Sequence, residues 1–397
     1  MTEAEKLIAL AREEYDCCYL QNAVRLLRKA IKLGSSDAMV ELGNLYRHGD
    51  GVPKSAKRAF NLYLQAANLG NARGMNMVGV LYSNGEGVKA SDEKSYEWCR
   101  KAAEAGNAAG MYNLAYNYLE GEIVEQDTAV GIEWLMRAAE GGYPDAMYDA
   151  AGIYSERGDD KKAFEFMLKA TQTGHVRASN ELGVMYYEGI GVEKDIRMAL
   201  NCFEGAALYD DIDAILNLAR YYTYVEKNTA LAAKFYNEAV ALGDDDALNE
   251  LGDLYFANKD YESAVKVFQT AVDKGSTYAM RALSFMYAES VGVEENLTLA
   301  FDLIERAAVA GDLKAMADLG QIYACDPDEF RYAHYWLKKS ADGGNTDAIM
   351  VLAEFLENHG QYKHARYWYN KALEAGIEGA SEGLEAVKDK IKPPQKF

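Results

Sequence analysis

A glycine or alanine followed three residues later by tyrosine recurs at nearly constant spacing along this 397-residue chain. Gly43, Gly79, Ala115 and Ala151 lie 36 residues apart, and the same position continues to Ala353 in steps of 32, 33 or 36 residues. Self-similarity at a period of this length is typical of solenoids, in which each repeat packs only against its neighbours. The spacing therefore predicts one elongated array covering residues 1–391.

Each repeat contains two predicted helices. In the first, Ala38, Leu42, Leu45 and Tyr46 fall on one apolar face at helical spacing. The second ends at a glycine such as Gly70, which can adopt the left-handed conformation that closes a helix. The long repeats carry an inserted Gly-x-Gly-Val loop between the two helices, and the short ones carry a tight turn.

The period predicts an all-α chain of about eleven helical hairpins, beginning near residues 2, 37, 73, 109, 145, 177, 211, 246, 278, 314 and 347. A last helix over 379–391 is predicted to cap the array, because its apolar positions can cover the final hairpin while its charged positions face water. The remaining residues, 392–397, are predicted to form a flexible tail.

The repeat at Ala72–Gly106 has the pattern A-x-x-x-L-G-x-x-Y, then G-x-G-V, then a tryptophan-containing helix that ends K-A-A-x-x-G. This pattern resembles the Sel1-like repeat, and the shorter repeats look closer to the related tetratricopeptide repeat. The chain is thus similar to a mixed array of the two. The resemblance implies a right-handed α-solenoid superhelix that scaffolds protein complexes.

Charge and cysteine usage restrict the partners and the compartment. The chain has 62 acidic against 42 basic residues, a formal net charge of −20, which opposes binding to nucleic acid or to anionic membranes. No apolar run is long enough to span a bilayer, and the N-terminus shows no signal peptide. Five cysteines without paired spacing favour reduced thiols, so we expect a cytoplasmic protein.

We find no motif for a phosphate loop, a zinc protease, a serine nucleophile or a calcium-binding loop. His359 and His364 flank a predicted turn and could share a metal, but no cysteine or carboxylate pattern completes such a site. All four tryptophans occupy one repeat position, which indicates core packing between repeats. We therefore expect no enzymatic activity, no cofactor and no metal.

In related helical-hairpin solenoids the first helix of each repeat lines the concave face, so positions three before and one after the recurrent glycine or alanine should face the groove. Asparagine amides can pair with an extended peptide backbone, and tyrosines supply rigid anchors. The candidate binding residues are Asn44, Asn76, Tyr112, Tyr116, Tyr148, Asn180, Arg220, Asn249 and Arg281, together with Tyr187, which lies one turn further along its helix.

These observations favour a scaffold or adaptor that is monomeric alone and binds a protein or extended peptide in the concave groove. A self-assembling structural protein and a regulatory subunit of a larger complex remain alternatives. The charge of the bound segment stays open: the acidic chain favours a basic partner, whereas arginines such as Arg220 and Arg281 would suit carboxylates.

Overall fold

The computed structural model describes residues 1–388 and 390–391, and the regular secondary structure of this part is entirely helical. It comprises 23 α-helices and one short 3-10 helix at Pro327–Glu329. Consecutive helices pair as antiparallel hairpins, and within each compact unit one hairpin packs on the next. The predicted all-α solenoid architecture is confirmed. The predicted tail at 392–397 lies outside the described residues.

The helices fall into two compact units, Met1–Asp211 and a second that begins at Ile212. In the first unit they are α1 (Glu3–Asp16), α2 (Leu20–Lys32), α3 (Ser36–His48), α4 (Ala56–Asn68), α5 (Ala72–Asn84), α6 (Asp92–Glu104), α7 (Ala108–Glu120), α8 (Thr128–Glu140), α9 (Pro144–Glu156), α10 (Asp160–Gln172), α11 (Val176–Glu188) and α12 (Ile196–Ala207).

In the second unit the helices are α13 (Ile212–Tyr224), α14 (Thr229–Ala241), α15 (Ala247–Ala257), α16 (Tyr261–Asp273), α17 (Thr277–Ala288), α18 (Leu297–Val309), α19 (Leu313–Ala324), α20 (Phe330–Asp342), α21 (Thr346–Asn358), α22 (Tyr362–Glu374) and α23 (Ala380–Lys388). We call the odd-numbered helices α1 to α21 the A helices and the even-numbered ones the B helices. A single array from residue 1 to 391 stays a prediction.

The recurrent small residue lies where the A and B helices of one hairpin touch. A Cβ atom on Gly43 would lie only 2.5 Å from the ring of Tyr63, which is fully buried in the partner helix. Glycine at this position therefore lets a large B-helix side chain reach the A-helix backbone. The Tyr63 hydroxyl then donates a hydrogen bond of 2.7 Å to Asn44 Oδ1, which fixes the pair.

The Gly-x-Gly-Val loops contact the preceding hairpin. Gly87 has a φ of +75°, and a Cβ atom there would lie 2.4 Å from the carbonyl carbon of Ala56, at the start of α4. A side chain at Gly87 would therefore clash with backbone as well as strain the loop. The inserted loops are thus contacts between repeats.

The core of each unit runs along the line where A and B helices meet. It consists mainly of alanine, leucine and methionine, with fully buried aromatic residues such as Tyr63 and Phe268. The tryptophan rings pack against these cores; Trp368 is buried, whereas Trp98, Trp134 and Trp336 are half-buried. Every tryptophan is covered by a lysine or arginine three residues later.

The helix ends follow from local chemistry. Most helices begin at a serine, asparagine or aspartate whose side chain accepts a hydrogen bond from the backbone N–H three residues later, as Asn71 does for α5. The B helices α2 and α4 are followed by glycines with positive φ, Gly34 and Gly70. The last helix, α23, packs on α22 and α21 through residues such as the buried Val387.

Candidate functional site

The ten predicted binding residues all lie on A helices, and most contact a neighbouring repeat. The contacts follow one pattern. The donor side chain lies three residues before or one residue after the recurrent small residue of one repeat. The acceptor side chain lies in the next repeat, two residues before its own small residue. The acceptor positions that show this are Glu41, Asp149, Glu250 and Asp318, whereas Asn113 at the equivalent position donates instead. We call this set the acceptor column.

The asparagines are less accessible than we expected from the sequence. Asn76 and Asn180 are buried, with exposures of 8% and 6%. Asn76 Oδ1 accepts a hydrogen bond of 2.9 Å from Asn113 Nδ2, and Asn249 Oδ1 accepts one of 2.8 Å from the Ser276 hydroxyl. The amide oxygens of Asn76 and Asn249 therefore join neighbouring repeats, and a ligand-binding role for the asparagines stays a prediction.

Two of the predicted tyrosines meet at one carboxylate. The hydroxyls of Tyr112 and Tyr116 donate to the same oxygen, Asp149 Oδ2, at 3.0 and 2.8 Å. Their ring centroids lie 4.9 Å apart, and Tyr143 lies 4.9 Å from Tyr112 on the other side. Burial raises the pKa of both Tyr112 and Tyr116, and the nearby charge of Asp149 raises the pKa further. The result is a cluster of neutral phenols on α7 fixed by α9.

The structure does not place the other two tyrosines in this cluster. Tyr148 stacks on His175, with centroids 4.9 Å apart and planes at 16°. His175 is held by an Nε2 contact of 3.3 Å to Asp145 Oδ1. Tyr187, near the end of α11, carries Lys194 4.9 Å from its ring centroid. Tyr148 therefore packs against the residue that begins α11 in the next repeat, whereas the contact of Tyr187 lies within its own repeat.

A cleft of about 760 Å³ opens beside the tyrosine cluster, between α5, the start of α6 and the end of α7. Its polar floor includes the side chains of Asn113, Asn117 and Tyr116. No lysine, arginine or histidine is among the lining residues in the described part of the chain. Its carboxylates are Asp92, Glu93, Glu120 and Glu122. We call it the acidic cleft.

Tyr116 also lines a second cleft, of about 590 Å³. Side chains such as Leu119, Ile153 and Met185 give it a mainly apolar lining from α7, α9 and α11. Its charged residues are acidic, and again the described lining contains no cation. We call it the apolar cleft. Both clefts lie along A helices of the first unit, and Tyr116 lines both of them.

The arginines predicted to bind a ligand in the second unit are already paired. Arg220 binds both oxygens of Glu250, at 2.5 and 3.0 Å, and the buried Tyr236 hydroxyl donates to Glu250 at 3.0 Å. Arg281 lies 3.7 Å from Asp312 and 3.9 Å from Asp318. Their guanidinium groups thus join one repeat to the next.

The described residues show no constellation typical of catalysis. Within 1–388 and 390–391, no three histidine, cysteine or acidic side chains come close enough to hold a metal ion. All five cysteines are free thiols, and burial raises the pKa of Cys99 to about 11, which keeps it protonated. His359 and His364 hydrogen-bond to their own helix turn. In the same part of the chain, no helix is long and apolar enough to cross a bilayer.

Sequence comparison places these repeats in a known group. The Sel1 repeat family model matches most of the chain, and α1, α15, α16, α21 and α23 lie outside the matched segments. The matched segments are 20–35, 36–71, 72–107, 108–143, 144–175, 176–208, 212–244, 277–312, 313–345 and 359–377.

Two characterised relatives share part of this chain. The chitin synthase regulator SKT5 of Saccharomyces cerevisiae is 26% identical over 244 residues, which cover 54% of this chain and 34% of that protein. The ERAD-associated E3 ubiquitin-protein ligase component HRD3 of Candida glabrata is 36% identical over 78 residues, 20% of this chain and 9% of that protein. The chain therefore spans about a third of the length of the first relative and less than a tenth of the second.

Among solved structures, a Sel1 repeat protein from Oxalobacter formigenes is 27% identical, with a TM-score of 0.52. The similarity covers 59% of this chain and 99% of that one. Its hairpins match the repeat architecture described above. With the repeat pattern, the helical hairpins and the family match in agreement, the chain belongs to the Sel1 repeat family.

Proposed function

We propose that this chain is a non-enzymatic scaffold that binds an extended segment of a partner protein in the two clefts of the first unit. Repeat arrays of this kind offer long surfaces built from equivalent helices, and binding does not require a catalytic group. The acidic and apolar clefts run along α5, α7, α9 and α11. Tyr116 lines both clefts and would contact both halves of a bound segment.

The observation that carries the proposal is the lining of these clefts. The acidic cleft presents four carboxylates, and neither cleft includes a lysine or arginine among its described lining residues. A lysine or arginine side chain would be attracted into the acidic cleft, and an apolar side chain next to it would bury surface in the apolar cleft. We therefore propose a basic segment with a neighbouring apolar residue.

This proposal uses only part of the predicted set of binding residues. Tyr112 and Tyr116 line the acidic cleft and would act as anchors. Asn76, Arg220 and Arg281 would act indirectly, because their side chains hold adjacent repeats together. The pairing of these arginines with carboxylates of the chain also supports a basic rather than an acidic segment in the groove.

The names of two relatives bear on the kind of complex in which the proposed scaffold would work, and its free thiols bear on the compartment. By their names, one relative regulates chitin synthase and another is a component of a ubiquitin ligase. Both names describe proteins that work beside an enzyme, which supports a regulatory subunit of a larger complex as the second candidate. Five free thiols support the cytoplasm as the compartment. We propose that the chain is monomeric until it meets its partner.

Selection from a random peptide library on the immobilised chain tests this proposal. We expect the wild-type chain to enrich peptides that pair lysine or arginine with an apolar residue. A Glu120→Lys/Glu122→Lys variant should bind the same peptides at least about tenfold more weakly, a loss of about 1.4 kcal/mol.

The matched control is Glu97→Lys/Glu140→Lys, which makes the same charge change at exposed positions on B helices outside both clefts. Far-ultraviolet circular dichroism establishes that both variants keep their helices. Equal weakening in the test and control variants would show that only the net charge matters. Enrichment of acidic peptides would contradict the proposal outright.

A further inference from the structure

A repeated Tyr-Trp pair marks the last two B helices. Tyr335 and Trp336 lie on α20, and Tyr367 and Trp368 lie at the equivalent place on α22. In each pair the rings meet edge to face, with centroids 5.0 and 5.4 Å apart. Tyr335 and Tyr367 are 53% and 54% exposed. Both helices therefore present a tyrosine ring to solvent beside a tryptophan that packs on the core.

A lysine ammonium lies over both rings of each pair. Lys339 Nζ is 5.7 Å from the centroid of Tyr335 and 5.1 Å from that of Trp336. Lys371 Nζ is 5.1 Å from Tyr367 and 4.6 Å from Trp368. Contacts at this distance hold the cation at the ring surface while part of it stays hydrated. The lysines are thereby fixed in place beside the exposed tyrosines.

The charge of these two helices is opposite to that of the chain. Together α20 and α22 carry six lysines and arginines and two acidic residues, whereas the whole chain has 42 basic and 62 acidic residues. Asp342 neutralises part of this charge through Lys338 at 2.8 Å and Lys371 at 4.0 Å. Arg331, Lys339, Lys363 and Arg366 form no ion pair within the described chain.

The two helices form one surface. The contact between Lys371 on α22 and Asp342 on α20 links them directly. Tyr332, 57% exposed, adds a third tyrosine on the α20 side. A 13-residue helix is about 20 Å long, so the surface can hold a short peptide segment. We call it the basic aromatic face, defined by Arg331, Tyr332, Tyr335, Lys339, Lys363, Arg366 and Tyr367.

We infer that the basic aromatic face docks an acidic protein segment that also carries aromatic or apolar side chains. Carboxylates of the segment would pair with the unpaired cations, and its apolar side chains would cover the exposed tyrosine rings. A long polyanion fits less well, because a nucleic acid extending beyond two helices would meet a chain of net charge −20. This site lies in the second unit and does not depend on the clefts of the first.

Fluorescence anisotropy with a fluorescein-labelled peptide of alternating glutamate and phenylalanine tests the inference. We expect the wild-type chain to bind this peptide and an Arg331→Glu/Arg366→Glu variant to bind it at least about tenfold more weakly. The control variant Lys57→Glu/Lys161→Glu reverses two exposed lysines on the B helices α4 and α10. It changes the net charge equally and should retain wild-type affinity.

A second variant separates charge from aromatic contact. Tyr335→Ser/Tyr367→Ser keeps every cation and removes both exposed rings, so it should weaken the glutamate–phenylalanine peptide but not a peptide of alternating glutamate and serine. The inference is overturned if the wild-type chain does not bind the acidic peptide, or if the charge-reversed and control variants bind it equally. It is also overturned if oligothymidylate or phosphatidylserine vesicles displace the peptide more effectively than its unlabelled form does.

Discussion

Replacing Asp149 with alanine should weaken the contact between the repeats of α7 and α9. Two phenol donors, Tyr112 and Tyr116, share Asp149 Oδ2 at 3.0 and 2.8 Å. A hydrogen bond to a charged acceptor contributes about 1.5–3 kcal/mol, and a partly exposed site lets water replace some of it. We therefore expect Asp149→Ala to lower the free energy of unfolding of the first unit by about 2–3 kcal/mol.

Urea unfolding followed by circular dichroism gives this loss, and the first unit should also melt about 4–12 °C lower. Asp149→Asn serves as the matched control, because its side-chain carbonyl keeps a neutral acceptor of the same shape and should cost less than half as much. In a Tyr112→Phe/Tyr116→Phe background, Asp149→Ala should then cost little. An undiminished cost in that background would refute the assignment of the stability to these two hydrogen bonds.

Three further predictions follow from other contacts. Glu250 is partly buried, but hydrogen bonds from Arg220 hold its pKa below the usual range. The Arg220–Glu250 pair therefore stabilises the fold at neutral pH, and this stabilisation is lost as pH falls through the lowered pKa of Glu250. Arg220→Ala should thus make the free energy of unfolding depend less on pH on the acid side. Burial raises the pKa of Tyr143 from 10.0 to about 12. The neutral phenol therefore contributes fully to stability below pH 10, and this contribution is lost as pH rises towards 12. Tyr143→Phe should reduce the loss of stability at alkaline pH, with tyrosinate absorbance as the second readout. Gly87→Ala should destabilise by about 2–4 kcal/mol in urea titrations, because strain and a backbone clash add; Gly106→Ala, with a φ of +85° and open space around it, should cost about 1 kcal/mol.

The helical hairpins could be predicted from the sequence because each depends on local chemistry repeated many times. Apolar spacing fixes the buried face of a helix, and residues such as Asn71 and Gly70 fix where a helix starts or ends. The reason for the small residue was visible only in the structure. Gly43 is small because the Tyr63 ring, 20 residues later, packs on its backbone.

The candidate site was harder to predict because its contacts join different repeats. Asp149 and Glu250 occupy equivalent positions and receive hydrogen bonds from residues 30 to 37 positions earlier. The sequence does contain a signal: acidic residues recur two positions before the small residue, opposite donors in the preceding repeat. Periodicity alone does not say which rotamer a side chain adopts, and so it could not show that Asn76 is buried.

Hydrogen exchange measured by mass spectrometry, with and without a selected basic peptide, tests the proposed binding site most directly. Backbone amides report which helices a ligand covers or steadies. The account predicts slower exchange in α5, α7 and α9, with no change in α20 and α22. Slower exchange confined to the B helices, or to the second unit, would contradict binding in the clefts of the first unit.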